Sequence, residues 1–170
     1  MNLVNFESDL QFAEKSVYNK SGFELTNLVW NPESTNYGAC SFELNNYKIQ
    51  LRVANITPTK IGQFVAIWKR NNNGITAPFD VADSLDFMII SVRDSEKFGQ
   101  FIFPKSVLVS KGIVSKNGKG GKRGIRVYAP WDKPENNQAI KTQDWQVNYF
   151  VEIKENSQVD LEIVKRILLV

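Results

Sequence analysis

Basic residues and glycines are concentrated in residues 115–132, which read SKNGKGGKRGIRVYAPWD. Lysine and arginine side chains contact phosphate oxygens, and glycines let backbone N–H groups approach an anion closely. These residue types favour anion binding by Lys116, Lys119, Lys122, Arg123 and Arg126; the alternative is a solvated hairpin tip whose lysines serve solubility. The glycine spacing departs from G-x-x-x-x-G-K-[ST], because Arg123 follows Lys122, and this excludes a nucleotide-hydrolysing phosphate loop.

Aromatic residues follow this charge at the end of the segment. On a strand, Arg126 and Tyr128 share one face, because side chains alternate along a strand. A guanidinium beside aromatic rings binds phosphate or stacks on a base. The alternative is structural, with Arg126 stacked on Tyr128 or Trp131 as a packing anchor. If there is a site, we expect the strand residues to form it and the lysines of the tip only to attract the ligand.

The charge of the whole chain is unevenly distributed. Its formal net charge is +3, but residues 97–131 contain eight basic residues and no acidic residue. That segment therefore carries +8 and the remainder of the chain −5. Such asymmetry indicates an anionic partner, either nucleic acid or another polyanion.

A second group of candidates lies nearer the N-terminus. Lys60 follows a proline-containing loop, and with Arg52 and Gln63 it forms a polar cluster suited to an anion; the alternative is ordinary surface charge. Asp86 is the candidate metal ligand, because apolar residues surround it and a buried carboxylate needs a partner such as Arg52 or Lys60. Asp80 and Asp83 are expected to cap a loop.

Histidine is absent and Cys40 is the single cysteine. This composition excludes an internal disulfide, the usual zinc sites and histidine-dependent nucleophilic catalysis. Any metal would be a hard cation held by oxygen ligands, and no cofactor is expected. We expect Cys40 to be a small core residue.

The elements that must position these residues follow from hydrophobic periodicity. Phe6, Leu10, Ala13 and Val17 predict a helix that ends near Gly22. Alternation in residues 40–44 and 47–53, with Asn45-Asn46 between them, predicts a β-hairpin. The apolar runs 62–70 and 84–93 predict strands covered on both faces, and residues 98–103 predict another strand.

The C-terminal half is predicted from similar patterns. Pro104 predicts the start of a short helix. Residues 112–115 and 123–128 predict a second hairpin whose tip is 116–123, and 134–153 predict a long helix. Asp160 is expected to cap a final helix. The fold class is α+β or α/β, a mixed central sheet flanked by helices in one domain spanning 1–170. With no signal segment and no apolar run of membrane-spanning length, we expect a cytoplasmic protein without a membrane partner.

Several long stretches occur in an order typical of one protein family: YGACSFEL (37–44), RVANITPTKIGQFVAIWKR (52–70), PFDVADSLDFMIISV (78–92), FGQFIFPKSVLVSKGIVS (98–115), GKRGIRVYAPWD (121–132) and KTQDWQVNYFVEI (141–153). On these stretches the chain resembles the MepB-like family, named after a member encoded beside a bacterial multidrug exporter. The resemblance implies a bacterial cytoplasmic protein whose biochemical role is not established. It also implies a restriction-endonuclease-like core with the order α-β-β-β-α-β.

Many nucleases of that fold carry an aspartate on one strand and Glu/Asp-x-Lys on the next, which together bind Mg²⁺. If Asp86 is the first acid, the next positions fall on Gln100 and Ile102; if Glu43 is, they fall on Gln50 and Arg52. Neither placement has the acid-x-lysine pair. We therefore predict a non-catalytic protein that binds nucleic acid or another anion. The alternatives are a small-ligand or protein-interaction module linked to drug export or stress, and a metal-dependent nuclease with a degenerate site at Asp86.

Overall fold

The computed structural model describes residues 3–33, 37–155 and 158–169. Within them the α-helices are α1 (Leu3–Ala13), α2 (Lys105–Ser110), α3 (Asn137–Gln146) and α4 (Leu161–Leu168). The strands are β1 (Leu25–Trp30), β2 (Cys40–Leu44), β3 (Tyr47–Val53), β4 (Asn55–Ile56), β5 (Gln63–Ala66), β6 (Trp68–Arg70), β7 (Thr76–Pro78), β8 (Phe87–Asp94), β9 (Lys97–Pro104), β10 (Gly124–Val127) and β11 (Phe150–Glu152). None of the helices in these ranges is long and apolar enough to cross a membrane.

A six-stranded mixed sheet forms the centre of the fold, in the order β1-β2-β3-β8-β9-β11. Neighbouring strands are antiparallel except for β3 and β8, which are parallel. This sheet, with helices packed on it, confirms the predicted α+β class.

The strand β8 is buried on both of its faces. Ile89 packs on one side with α1 and α4 residues such as Leu10 and Ile167. Ile90 packs on the other side with Leu108 of α2 and Val127 of β10. The continuous apolar run of this strand is explained by these two covering layers, as the sequence predicted.

The local predictions for the first helix, the first hairpin and the last helix are confirmed. The first helix continues as a turn of π-helix (Glu14–Tyr18) and then a turn of 3-10 helix (Asn19–Ser21). It ends at Gly22, whose φ is +89°. The strands β2 and β3 form the predicted hairpin, with Asn45 at a φ of +55° in its turn. The Asp160 carboxylate accepts hydrogen bonds from the N–H groups of Glu162 and Ile163 at the start of α4. The strand β1 was not predicted.

The apolar run 62–70 does not form one strand covered on both faces, so this prediction is wrong. It divides into β5, which belongs to a three-stranded sheet of order β10-β5-β4, and β6, which pairs with β7. Side chains of β5 alternate between buried and exposed, and Phe64 is 45% exposed. One face of the three-stranded sheet covers the core and the other is open.

The predicted second hairpin is also wrong. The strand β10 pairs antiparallel with β5, with Arg126 opposite Phe64, and not with residues 112–115. Gly118, Gly120 and Gly121 all have positive φ, and the N–H groups of Gly121 and Lys122 donate to the carbonyls of Gly112 and Ile113, just before β10 begins. Lys116 and Lys119 pair with each other in a tight turn.

The predicted long helix over 134–153 ends early. After α3 the chain makes one turn of 3-10 helix and then forms β11, which pairs with β9. A Cβ at Gly99 of β9 would lie 2.3 Å from Cζ of Phe150, so the glycine leaves the space that this ring fills. Burial of Phe150 and Val151 in the sheet overrides the helical spacing.

Candidate functional site

A cavity of about 620 Å³ lies between β10, α3, the end of α2 and the loop that precedes β5. Four basic side chains and one acidic side chain line it: Lys60, Lys111, Lys122, Arg126 and Glu135. Aromatic and amide groups of Tyr128, Trp145 and Gln146 complete much of the wall. We call this the cationic cavity. It brings together the sequence candidates Lys60, Lys122, Arg126 and Tyr128.

The guanidinium of Arg126 is held at the edge of this cavity by backbone carbonyls. Its Nη1 donates to the carbonyl oxygens of Ile61 and Gly62, at 3.3 and 3.2 Å. These contacts use one end of the planar group to tie β10 to the loop before β5. A guanidinium has five N–H donors, so this anchoring leaves donors for a ligand.

The buried side chain of Gln146 fixes β10 from its open edge. Its Oε1 accepts a hydrogen bond from the N–H of Tyr128 at 2.8 Å, and its Nε2 donates to the carbonyl of Arg126 at 3.1 Å. The amide therefore pairs with β10 as a neighbouring strand would, and it locks α3 against that strand. Burial without these bonds would leave polar groups unsatisfied.

The loop that carries Lys60 passes beneath the ring of Tyr128. Gly62 in that loop has a φ of +81°, and a Cβ there would lie 2.7 Å from ring atoms of Tyr128. Only glycine satisfies both the backbone conformation and the close approach. This packing sets the position of Lys60 relative to Arg126.

The remaining wall comes from the helices. The Nζ of Lys111 lies 5.2 Å from the ring centroid of Trp145, within cation–π range. The start of α3 borders the cavity, where the Asn136 side chain accepts a hydrogen bond from the N–H of Ala139 at 2.8 Å. The helix dipole adds partial positive charge at the N-terminus of α3, beside the cavity.

The charge of the cavity is not neutralised by ion pairs within the described parts of the chain. The salt bridges among those residues involve none of Lys60, Lys111, Lys122 and Arg126. Like charges gathered on one concave surface raise its potential and concentrate anions there.

The sequence candidates that do not line the cationic cavity include Arg52, Arg123 and Trp131. Arg52 is buried on β3, where Nη1 donates to the carbonyl of Leu51 at 2.9 Å and to Oε1 of Gln50 at 3.2 Å. Burial lowers its pKa from the ordinary arginine value. The guanidinium of Arg123 donates to the carbonyl of Thr76, and the ring of Trp131 packs edge-on against a core aromatic at 5.5 Å.

The expected cluster of Arg52, Lys60 and Gln63 therefore does not form. The side chain of Gln63 is buried and its Nε2 donates to the carbonyl of Arg93 at 3.0 Å. Of these three residues, Lys60 alone borders the cationic cavity. The alternation of apolar and polar residues along β3 and β5 did not predict that the side chains of Arg52 and Gln63 are buried.

Asp86 is exposed, so the expectation that it is buried is wrong. It immediately precedes β8, outside the covered part of the sheet, and its Oδ2 accepts a hydrogen bond from the N–H of Lys48 at 2.7 Å. The described residues contain no group of three or more His, Cys, Asp or Glu side chains placed to hold a metal ion. The metal role of Asp86 stays a prediction.

The other acids near it act as loop caps, as expected. The Asp80 carboxylate accepts hydrogen bonds from the N–H of Ala82 and the hydroxyl of Ser115, and these bonds lower its pKa. The Asp83 carboxylate accepts from the N–H of Asp80 at 2.7 Å.

Gln100, the residue that takes an acid position in one nuclease alignment, serves a buried network. Its Oε1 accepts a hydrogen bond from the hydroxyl of Tyr18 at 2.6 Å, and its Nε2 donates to Oγ of Ser91 at 3.0 Å. Burial raises the pKa of Tyr18 far above its usual range, so the phenol stays a donor. These bonds join α1's continuation to β8 and β9.

Sequence reasoning missed several residues of the cavity wall. It placed Trp145 only within the predicted helix 134–153, counted Lys111 only among the eight basic residues of 97–131, and did not consider Glu135 or Gln146. One signal was present: Gln138, Thr142 and Gln146 recur every fourth residue, which makes a polar stripe on one face of α3.

The comparisons with known proteins cover the region of the cavity. A family model described as MepB-like matches residues 31–152, which include every residue of the cavity wall. A crystal structure of MepB is similar to this chain at 34% identity with a TM-score of 0.73, covering 78% of this chain and 89% of that one. No curated protein matches the chain.

Proposed function

The chain belongs to the MepB-like family, and we propose that it is a non-catalytic binding protein whose cationic cavity takes the phosphates of a nucleic-acid strand or another polyanion. The observation that carries this proposal is the lining of one concave surface by four basic side chains and one acidic side chain. A phosphate about 4 Å from one such cation gains about 1 kcal/mol in bulk water and about 4 kcal/mol near a protein surface.

The kinds of group in the cavity also favour a nucleic acid over a simple anion. The anchored guanidinium of Arg126 suits phosphate oxygens, because its planar donors match their geometry. Tyr128 and Trp145 also line the cavity, and aromatic side chains are suited to base stacking. Charge and aromatic residues together support binding, and no reaction is assigned.

A small phosphorylated or otherwise anionic ligand is the second candidate. The cavity volume of about 620 Å³ favours it, because sites for small molecules measure roughly 300–1,000 Å³. Such a ligand would fit the alternative of a small-ligand module linked to drug export or stress.

We also propose the restriction-endonuclease-like core that the family resemblance implies. The order of elements supports it: α1 precedes the antiparallel strands β1, β2 and β3, and the parallel pair β3 and β8 makes the sheet mixed. Between β3 and β8 this chain has the short strands β4 to β7. Shared shape alone does not carry a nuclease activity over.

The test is a binding titration with labelled single-stranded DNA, duplex DNA and RNA, each followed by fluorescence anisotropy at about 50 and about 200 mM salt. We expect binding at the lower salt that weakens at the higher, and loss of affinity in Arg126→Ala. Lys15→Ala removes an exposed lysine of the N-terminal helical segment and is the matched control. Competition by a mononucleotide at micromolar concentration would favour the small-ligand candidate. No binding to any of the three polymers at low salt would overturn the nucleic-acid proposal.

A further inference from the structure

An exposed aromatic ring lies beside the cationic cavity, on the open face of the three-stranded sheet. Phe64 of β5 is 45% exposed, although most phenylalanines of a folded chain are buried. It is the cross-strand partner of Arg126, whose guanidinium borders the cavity. Directly opposed side chains of antiparallel strands are roughly 5 Å apart at Cβ, so ring and guanidinium are neighbours.

Glycines shape this face so that two rings lie close to backbone. A Cβ at Gly124 would come within 2.4 Å of Cζ of Phe64, so the ring of Phe64 packs over that glycine. In the same way, the ring of Tyr128 packs over Gly62. In each case the missing side chain lets the ring approach the sheet, and for Phe64 much of the ring remains open to solvent.

These groups follow one another along one face of β10 and the residue after it, Tyr128. Gly124 with the Phe64 ring above it, then Arg126, then Tyr128 occupy alternate positions. Alternate residues of a strand are about 6.8 Å apart, so the positions of Gly124 and Tyr128 are about 13.6 Å apart. This separation is about four times the 3.4 Å rise between stacked bases of one duplex strand, so it suits bases that have been separated from one another.

We propose that this face binds an unpaired segment of a nucleic-acid strand, with bases stacked on Phe64 and Tyr128 and with phosphates held by Arg126 and the cavity lysines. The inference rests on the proposed function and names its substrate class. A duplex hides the faces of its bases inside the stack, so these rings have nothing to stack on unless the strand is unpaired.

The positive charge of the adjoining cavity favours nucleic acid over a protein as the partner of this face. Ile56 of β4 and Ile61 of the loop before β5 are also exposed, and apolar side chains alone would suit a protein contact. However, Lys60, Lys122 and Arg126 stand in the adjoining cavity wall with a single acid among its residues. Rings combined with a basic groove are typical of sequence-tolerant single-strand binding.

The experiment compares a single strand with the duplex of the same sequence at one low salt concentration. We expect the wild-type chain to bind the single strand more tightly. Phe64→Ala should weaken single-strand binding about 5- to 150-fold, the range for loss of one base–aromatic stack, with little change for the duplex. Phe64→Trp should retain the affinity. The slope of affinity against salt should stay the same in Phe64→Ala and fall in Arg126→Ala.

The controls separate stacking from folding. Phe64→Leu keeps apolar volume without a ring, and it should lose affinity as Phe64→Ala does even if the alanine variant folds poorly. Tyr37→Ala removes another exposed aromatic, 67% exposed and before β2, and should leave binding unchanged.

Four results would overturn the inference. Equal affinity for single strand and duplex, or unchanged single-strand binding in Phe64→Leu, would reject stacking while leaving the polyanion proposal in place. A wild-type dimer that dissociates on Phe64→Ala without any change in nucleic-acid binding would assign the face to a second copy of the chain. No binding to either nucleic acid would reject the nucleic-acid proposal on which the inference rests.

Discussion

Removing the basic side chains of the cationic cavity should reduce the salt dependence of nucleic-acid binding by about the same amount for each side chain removed. The cavity contains four cations, Lys60, Lys111, Lys122 and Arg126. Each phosphate contact with a single strand contributes about −0.7 to the slope of log affinity against log salt. If all four make contacts, the slope is about −2.8, and affinity falls about 50-fold between 50 and 200 mM salt.

Each alanine variant removes one of these contacts. Arg126→Ala should therefore have a slope of about −2.1, and its affinity should fall about 20-fold over the same range of salt. The variant with all four cations replaced should lose nearly the whole slope. Fluorescence anisotropy titrations at several salt concentrations between these limits measure each slope directly.

The refuting result is specific. If the fourfold variant keeps the wild-type slope, the phosphates contact other basic residues, such as Lys116 and Lys119 of the glycine-rich turn, and the cavity is not the site. If Lys15→Ala reduces the slope as much as Arg126→Ala does, the attraction comes from overall charge. Far-ultraviolet circular dichroism establishes that each variant is folded before its slope is compared.

The remaining predictions concern single side chains. Glu135→Gln removes the one acid of the cavity wall and should tighten binding of a polyanion about 2- to 5-fold; unchanged or weaker affinity would contradict the electrostatic account. Gln146→Ala removes the hydrogen bonds to β10 and should lower the free energy of unfolding by about 2–4 kcal/mol in urea titrations, whereas exposed Gln138→Ala should change it little. Gly62→Ala should cost about 1–3 kcal/mol, because its positive φ and the ring above it disfavour a Cβ, and a neutral effect on the melting temperature would refute that argument. Burial raises the pKa of the Cys40 thiol to about 12. The folded chain should therefore not react with thiol reagents at pH 8, and it should react once unfolded. Fast modification of the folded chain would contradict the burial of this thiol.

Local features of the fold could be predicted because neighbouring residues decide them. The Asn45 turn requires positive φ, which asparagine tolerates, and the alternation on either side places one face inward. The carboxylate of Asp160 reaches N–H groups two and three residues away, so its capping role depends on no other part of the chain. In β8 the nearly continuous apolar run predicts burial on both faces, and its first six residues are buried.

Features that depend on distant residues were mispredicted. Phe150 enters the sheet because Gly99, fifty-one positions earlier, leaves room for its ring. The strand β10 pairs with β5 and not with its nearer neighbour in the sequence, because Ser115 in that neighbour forms backbone hydrogen bonds with Phe79 and Val81. Arg52 alternates with apolar residues as an exposed side chain would, yet the packing of Phe79 over its guanidinium buries it.

The sequence by itself determined the kind of chemistry available: an excess of cations in residues 97–131, aromatic rings among them and no histidine. Charge and residue type are properties of each residue, so composition and spacing are enough to predict an anionic partner. Tertiary structure alone decided which basic side chains lie together in one cavity. Lys60, Lys111 and Arg126 come from a loop, the end of a helix and an edge strand, and they share one cavity because β10 pairs with β5 and Gln146 holds α3 against β10.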